Sequence, residues 1–256
     1  MIDAALAKLW FPAIPGPRNG SLRLFCIPHA GAGASLYRTW AQQMPQSIRV
    51  SPVQLPGRED RFAEAPRSSI AAIADELAGA LAGELDGHYA LFGHSMGALI
   101  AFEVARRLRR QALPMPDGLV LAGHQAPHLP LARKPISRLP DAEFLNELRA
   151  MGGMPGEAFA HPELVEFVLP ALRADFKACD DYVAGEEAPL DIPFAILGGW
   201  KDPYAPRHLL EHWREHSLKP STLQMFPGGH FFPNENRDLL LRALAVRLTE
   251  WQTAQS

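Results

Sequence analysis

Short apolar runs alternate along the chain with longer stretches of helical periodicity. Leu22 to Pro28 and Ile48 to Leu55 read as buried strands, with a helix expected over Ser35 to Met44 between them. Ser68 to Leu85 places Ile70, Ile73, Leu77 and Leu81 at helical spacing. A third strand, Tyr89 to Phe92, breaks at Gly93 and continues as a helical pattern through Arg110, and Gly118 to Ala122 is a fourth. From Gln125 to about Pro189 no strand-like run appears. Helical pieces, Asp141 to Met151 and Pro162 to Val183, take its place, separated by Gly152-Gly153-Met154-Pro155-Gly156, and Pro170 is expected to kink or divide the second. The strands resume at Ile192 to Leu197 and Thr222 to Phe226, around a helix near Pro206 to His216. A closing helix, Glu235 to Trp251, carries Leu241, Leu244, Leu248 and Trp251 on one face. Residues 1–20, with Pro12, Pro15, Gly16, Pro17 and Gly20, hold at most a short edge strand around Trp10.

This rhythm implies a mostly parallel sheet joined by right-handed crossovers, with helices on both faces. The expected architecture is one α/β domain over residues 1–256, with 125–189 inserted as a helical lid and the prolines and glycines flanking its pieces as hinges. A length of 256 residues suits one sizeable core. The net charge of -3 offers no broad basic surface for a nucleic acid. Cys26 and Cys179 stand in unrelated settings and read as reduced thiols, neither a disulfide framework nor a metal site. The first residues lack a sustained apolar core and a cleavage site, and no later run reaches the roughly 20 apolar residues of a bilayer span, so the expected location is the cytosol.

The chemistry gathers around Gly93-His94-Ser95-Met96-Gly97, a serine on a sharp turn between strand and helix. The strained turn leaves no room for side chains two residues either side of Ser95 and lifts its hydroxyl to a helix N-terminus. His94 is expected to support the turn. A serine needs a base, and that base an orienting acid. Asp202 follows the strand ending at Leu197, and His230 follows the last strand after two glycines, so both belong to the sheet edge that carries Ser95. The order Ser95, Asp202, His230 is that of α/β-hydrolases. The competing histidines His88, His208, His212 and His216 read as solvated, His161 as part of the lid, His124 and His128 as followers of the fourth strand, and His29 as the opening of a small-residue loop. Asp180, Asp181 and Asp191 read as surface carboxylates. The loop Pro28 to Gly33 is the expected second half of an oxyanion hole, with Met96 and Ala30 as backbone donors and Gly31 as the fallback for the second.

The combination of Pro28-His29-Ala30-Gly31, Gln54-Leu55-Pro56-Gly57-Arg58-Glu59, Gly93-His94-Ser95-Met96-Gly97, Gly199 to Pro203 and Gly229-His230-Phe231-Phe232 resembles the free-standing type II thioesterases of nonribosomal peptide and polyketide assembly lines. The blocks cover nearly the whole chain in order. Ala32-Gly33 departs from the Gly-Gly or Gly-Ser of many members. The resemblance implies an α/β-hydrolase core with a helical lid, Ser95, Asp202 and His230 as the triad, and no metal or bound cofactor. The implied reaction removes stalled acyl and aminoacyl groups from the phosphopantetheine arm of carrier proteins. Arg58, Arg61, Arg67, Arg133, Lys134 and Arg138 are candidates to meet the carrier or the arm's phosphate, or are ordinary solvated cations. A monomer is the default. A small-ester hydrolase, a medium-chain thioesterase of fatty acid synthesis and a silent carrier-binding module are the competing readings.

Overall fold

Successive side chains of each strand enter opposite sides of one parallel sheet, and both sides are buried. In the computed structural model, which describes residues 4–12, 22–152 and 162–254, the strands are β1 (Leu22–Ile27), β2 (Ile48–Pro52), β3 (His88–His94), β4 (Leu119–Ala122), β5 (Phe194–Gly199) and β6 (Thr222–Phe226). Their order is β2-β1-β3-β4-β5-β6, every pairing parallel. Phe25, Leu91, Leu121 and Ile196 face one core with α3 (Ile70–Leu81) and α4 (Met96–Arg110). Leu24, Phe92, Val120 and Leu197 face the other, closed by α2 (Trp40–Gln43) and α9 (Arg237–Ala254). The short helices α7 (Arg207–Leu210) and α8 (Phe232–Glu235) follow β5 and β6. No helix among the described residues is long and apolar enough to cross a membrane.

Four local expectations change: the helix expected near Pro206 to His216 divides into α7 and a 3₁₀ turn, Glu211–His216, and three others differ as follows. Trp10 ends a helix, α1 (Ala4–Trp10), rather than lying on an edge strand. Its alanines and leucines favour a helix, and the first proline arrives only at Pro12. Trp10 is buried beneath the Arg61 guanidinium, 4.4 Å from its ring centroid. The helix expected over Ser35 to Met44 splits into a 3₁₀ turn, Ala34–Tyr37, and α2, because the Glu59 carboxylate accepts from both Ser35 N–H and Ser35 Oγ and holds the first turn separately. Pro170 does not divide α6 (Pro162–Asp180). It sits on the exposed side, where water can satisfy the carbonyl that loses its partner. Pro15, Gly16, Pro17, Gly20, His161 and the hinge residues Gly153, Met154, Pro155 and Gly156 lie outside the described residues.

Between β4 and β5 stand α5 (Asp141–Met151) and α6, which share a small core of Ile136, Phe144, Leu148 and Leu172. Asp180 caps the approach to α5, accepting from Ile136 N–H and Ser137 N–H at 3.0 and 2.9 Å.

The turn from β3 into α4 needs its glycines for close backbone approach. A Cβ at Gly93 would meet the Gly97 carbonyl, and one at Gly97 would meet the carbonyls of Ile27 and Pro28 at the end of β1. The crowding therefore lies between the flanking glycines and against β1, not against the serine itself. Ser95 takes φ 55° and ψ -117°, a conformation L-residues avoid. Gly97→Val should abolish soluble expression, whereas Ser95→Ala should keep the wild-type thermal midpoint within a few degrees; expression yield and a thermal melt check both.

Candidate active site

Parallel strands deliver their following loops to one edge, and the three residues singled out in the sequence meet there. His230 Nε2 lies 3.0 Å from Ser95 Oγ, and His230 Nδ1 lies 2.8 Å from Asp202 Oδ2. Asp202 is buried, and its Oδ1 accepts from Tyr204 N–H and Ala205 N–H at 2.9 and 3.3 Å. Held on both oxygens, the carboxylate selects the tautomer with hydrogen on Nδ1. The Nε2 lone pair is left facing the serine hydroxyl. A Cβ at Gly199 would strike the Gly229 and Gly228 carbonyls, so glycine at that position lets the loop carrying Asp202 lie against the loop carrying His230.

His94 does more than support its turn. Its Nε2–H donates to the His230 carbonyl at 2.9 Å, so the turn bearing Ser95 also fixes the backbone of its base. Met96 opens α4, where an N–H has no acceptor within the helix. Gly31 N–H is already committed to Asp175 Oδ2 at 2.7 Å. That leaves the N–H of Ala30, one residue earlier and on the cavity wall, as the candidate for a second donor beside Met96.

A cavity opens over Ser95 between this edge and the lid. His29, Ala30, Tyr204 and His230 line its floor; Leu148 and Met151 of α5 and Leu172, Phe176 and Cys179 of α6 line its roof. The roof is apolar, and burial pushes the Cys179 thiol up to about 12. Attack of Ser95 Oγ on an acyl carbonyl, a proton passed to His230, and an oxyanion held by two N–H groups is the chemistry that this arrangement can perform.

The chain matches the family model described as "Thioesterase domain" over residues 22–248. The chain belongs to the thioesterase domain family. Among similar proteins, "Linear gramicidin dehydrogenase LgrE" of Brevibacillus parabrevis is 41% identical over 89% of this chain and 88% of its own. "Thioesterase PikA5" of Streptomyces venezuelae is 37% identical over 89% and 81%. The solved structure of "the type II thioesterase BorB from the borrelidin biosynthetic cluster" is 35% identical with a TM-score of 0.86, covering 94% of this chain and 98% of that one. In the loop after β1, the Asp175 and Glu59 carboxylates accept from Gly31 N–H and Ser35 N–H.

Several basic residues expected to face a carrier turn inward. Arg58 is buried and pairs through two nitrogens with Asp175 at 2.5 and 2.8 Å. Arg61 is buried between Glu64 and Trp10. Arg67 pairs with Glu76, Arg133 with Asp180 and Arg138 with Asp181. Arg133 alone of the six lines the cavity, and Lys134 is exposed. No local signal in the sequence marks Asp175 and Glu59 as site residues: one lies 144 positions from the Gly31 N–H that it holds, and the other stands beside Arg58 in a motif whose charge points to a partner rather than to the loop after β1. The Pro56-Gly57-Arg58-Glu59 block thus shapes the loop after β1 from below.

Asp175→Asn should leave Arg58 buried without a full partner and lower unfolding free energy by about 3–5 kcal/mol, as urea denaturation would show. The pair Arg58→Met with Asp175→Leu should recover most of that stability yet keep kcat reduced, because Gly31 N–H loses its acceptor.

The neighbouring histidines also set a pH dependence. Burial holds His29 and His124 neutral, each lowered from 6.5 to about 4, and holds His94 well below 6.5. The Nδ1–H of His29 donates to the Ala30 carbonyl, and that of His124 to the Gln125 carbonyl. Below about 6.5 the unfolded chain takes up protons that the folded chain refuses. Stability fully present above that pH should therefore fall towards pH 4, by up to about 1.4 kcal/mol per pH unit for each histidine. Urea midpoints measured from pH 7 to 5 check this, and His124→Gln should make the slope shallower by about one proton.

Proposed function

We propose that this thioesterase hydrolyses acyl and aminoacyl thioesters held on the phosphopantetheine arms of carrier proteins in nonribosomal peptide or polyketide synthesis, clearing stalled or wrongly loaded groups. The reading rests on one observation above the others: the likeness to a type II thioesterase of a biosynthetic cluster covers 94% of this chain and 98% of that one. An apolar roof over the serine suits an acyl group, and the thioester itself requires no charged recognition.

In the proposed reaction Ser95 Oγ attacks the thioester carbonyl as its proton moves to His230 Nε2. Met96 N–H and Ala30 N–H stabilise the tetrahedral oxyanion. Collapse breaks the carbon–sulfur bond, and the leaving thiolate takes the proton from His230. Water, deprotonated by the same nitrogen, then attacks the acyl-serine, and the carboxylic acid departs as Ser95 recovers its proton. Asp202 keeps His230 in the required tautomer throughout. The steps balance without a metal or bound cofactor. Arg133, which lines the cavity while paired with Asp180, and exposed Lys134 are the candidate cations to meet the arm's phosphate, in the cytoplasm where carrier and enzyme would share a compartment.

Hydrolysis of acetyl-loaded and aminoacyl-loaded carrier protein, set beside a nitrophenyl ester, tests this. Turnover should strongly favour the carrier-bound thioesters, vanish in Ser95→Ala and fall roughly 10⁴-fold in Asp202→Asn. Equal or better turnover of the simple ester, with no response to the carrier, would overturn the editing role and leave a small-ester hydrolase.

A further inference from the structure

Away from the cavity, His128, His212 and Glu215 bring three metal-capable donors together. Each offers one ligand atom, and these atoms all lie within 4.8 Å of one another. The loop after β4 supplies His128, and the 3₁₀ turn Glu211–His216 supplies the other two. Residues i and i+3 of such a turn eclipse, and His212 Nδ1 accordingly lies 2.6 Å from Glu215 Oε1. None of the three lines the cavity over Ser95. The sequence assigns His212 and His216 to solvent and expects no metal; packing of the β5–β6 crossover against the loop after β4 is what assembles the cluster.

The lone pairs indicate what such a cluster holds. His128 Nδ1 lies 2.7 Å from His216 Nε2, and His128 Nε2 lies 3.3 Å from Glu215 Oε2. His216 packs against the Phe102 and Trp213 rings, which hold its imidazole in place beside His128. When His128 donates its Nδ1–H to His216, its Nε2 turns a lone pair towards the Glu215 carboxylate. Two acceptors face each other stably only across a cation, either a proton or a metal ion. A ligating histidine usually gives its other N–H to a fixed acceptor, which is the place His216 occupies.

We infer that His128, His212 and Glu215 bind one divalent transition-metal ion of the zinc type, with His216 as the residue that positions His128. Two imidazoles and one carboxylate suit Zn²⁺ better than Mg²⁺ or Ca²⁺, which prefer oxygen alone. Bonds of about 2.0–2.2 Å place tetrahedral ligand atoms roughly 3.4 Å apart. His212 Nδ1 and His128 Nε2 already lie 2.6 and 3.3 Å from the two Glu215 carboxylate oxygens, so side-chain rotation is enough to close the site, and water completes the fourth position. The ion would clamp the loop after β4 to the turn carrying Trp213, whose Nε1–H donates to the His124 carbonyl at 2.6 Å. His124 is part of the cavity wall, so the clamp stiffens that wall from outside.

Metal-free protein carrying no affinity tag, titrated with zinc chloride by calorimetry, tests the site. One equivalent should bind with a Kd on the order of 1 µM or tighter, and the thermal midpoint should rise by about 5 °C at a hundredfold excess over Kd. Cobalt(II) should give the visible absorption of a tetrahedral site. His128→Gln and His212→Gln should each weaken binding by at least about tenfold, and His216→Gln by about 10–100-fold with the stoichiometry kept. His208→Gln, on nearby α7, should leave binding unchanged. Circular dichroism and ester turnover equal to wild type in chelator would show that the variants are folded. Failure to bind one equivalent at about 100 µM zinc, or equal binding by the His128→Gln/His212→Gln double variant, would overturn the proposal and identify the cluster as an ion pair held by protons.

Discussion

The carboxylate of Asp175, fully buried on α6, accepts from Arg58 on one side and from Gly31 N–H on the other. Three separated parts of the chain meet at this group: the lid, the loop after β2 and the loop after β1 that carries Ala30. Burying two charges costs several kcal/mol, and a hydrophobic pair of similar shape would often stabilise the fold as well or better. The value of the pair is therefore positional. A bidentate guanidinium–carboxylate contact allows only one orientation, and it turns α6 so that Leu172, Phe176 and Cys179 face the cavity. Leu172 itself packs on Gly31, where a Cβ would collide with it. Lid and oxyanion loop are thus fixed by the same few atoms.

A second set of contacts fixes the donors and the base relative to one another. The Ser95 turn rests on β1 through Gly97, and β1 ends in the loop that bears Ala30. His94 ties the same turn to the backbone of His230. The Asp202 loop lies against the His230 loop across Gly199. Each member of the reacting group is therefore positioned by backbone contacts between neighbouring strand ends. Preorganisation of this kind lets N–H groups oppose a developing charge without reorganising during the reaction. The buried histidines around them stay neutral, which keeps extra positive charge away from the His230 imidazole.

Much of this was legible in the sequence because the signals are local. Period-two and period-3.6 patterns mark the strands and helices, and parallel topology places every strand-end loop on one edge, so Ser95, Asp202 and His230 converge without knowledge of contacts. What escaped depends on contacts between distant residues. Trp10 looked like an edge residue because the prolines after it outweighed the alanines before it. Arg58 and Arg61 looked like surface cations because nothing in their neighbourhood announces Asp175 or Trp10 as partners. His128 and His212 lie 84 positions apart, and only the packing of a crossover against a loop makes them neighbours. Helical periodicity also gave Ser35 to Met44 as one helix, since it cannot register a capture of Ser35 by Glu59.

The same division explains why the reaction class is easier to read than the acyl preference. Reaction class follows from residue types at strand ends, which topology alone brings together. Acyl preference follows from the roof, and the roof is set by the rotation and depth of α6 over Ser95. Both are governed by the Asp175 contacts, by the stacking of Phe62 on Phe167 at 3.9 Å between ring centroids, and by the small core beneath α5. Substitutions at Leu148 or Phe176 change the cavity without touching the hydrogen-bonded edge below. Those at Asp175 or Arg58 move roof and oxyanion loop together. A lid of this construction can change its acyl group over the same reacting residues, provided that the buried ion pair is kept.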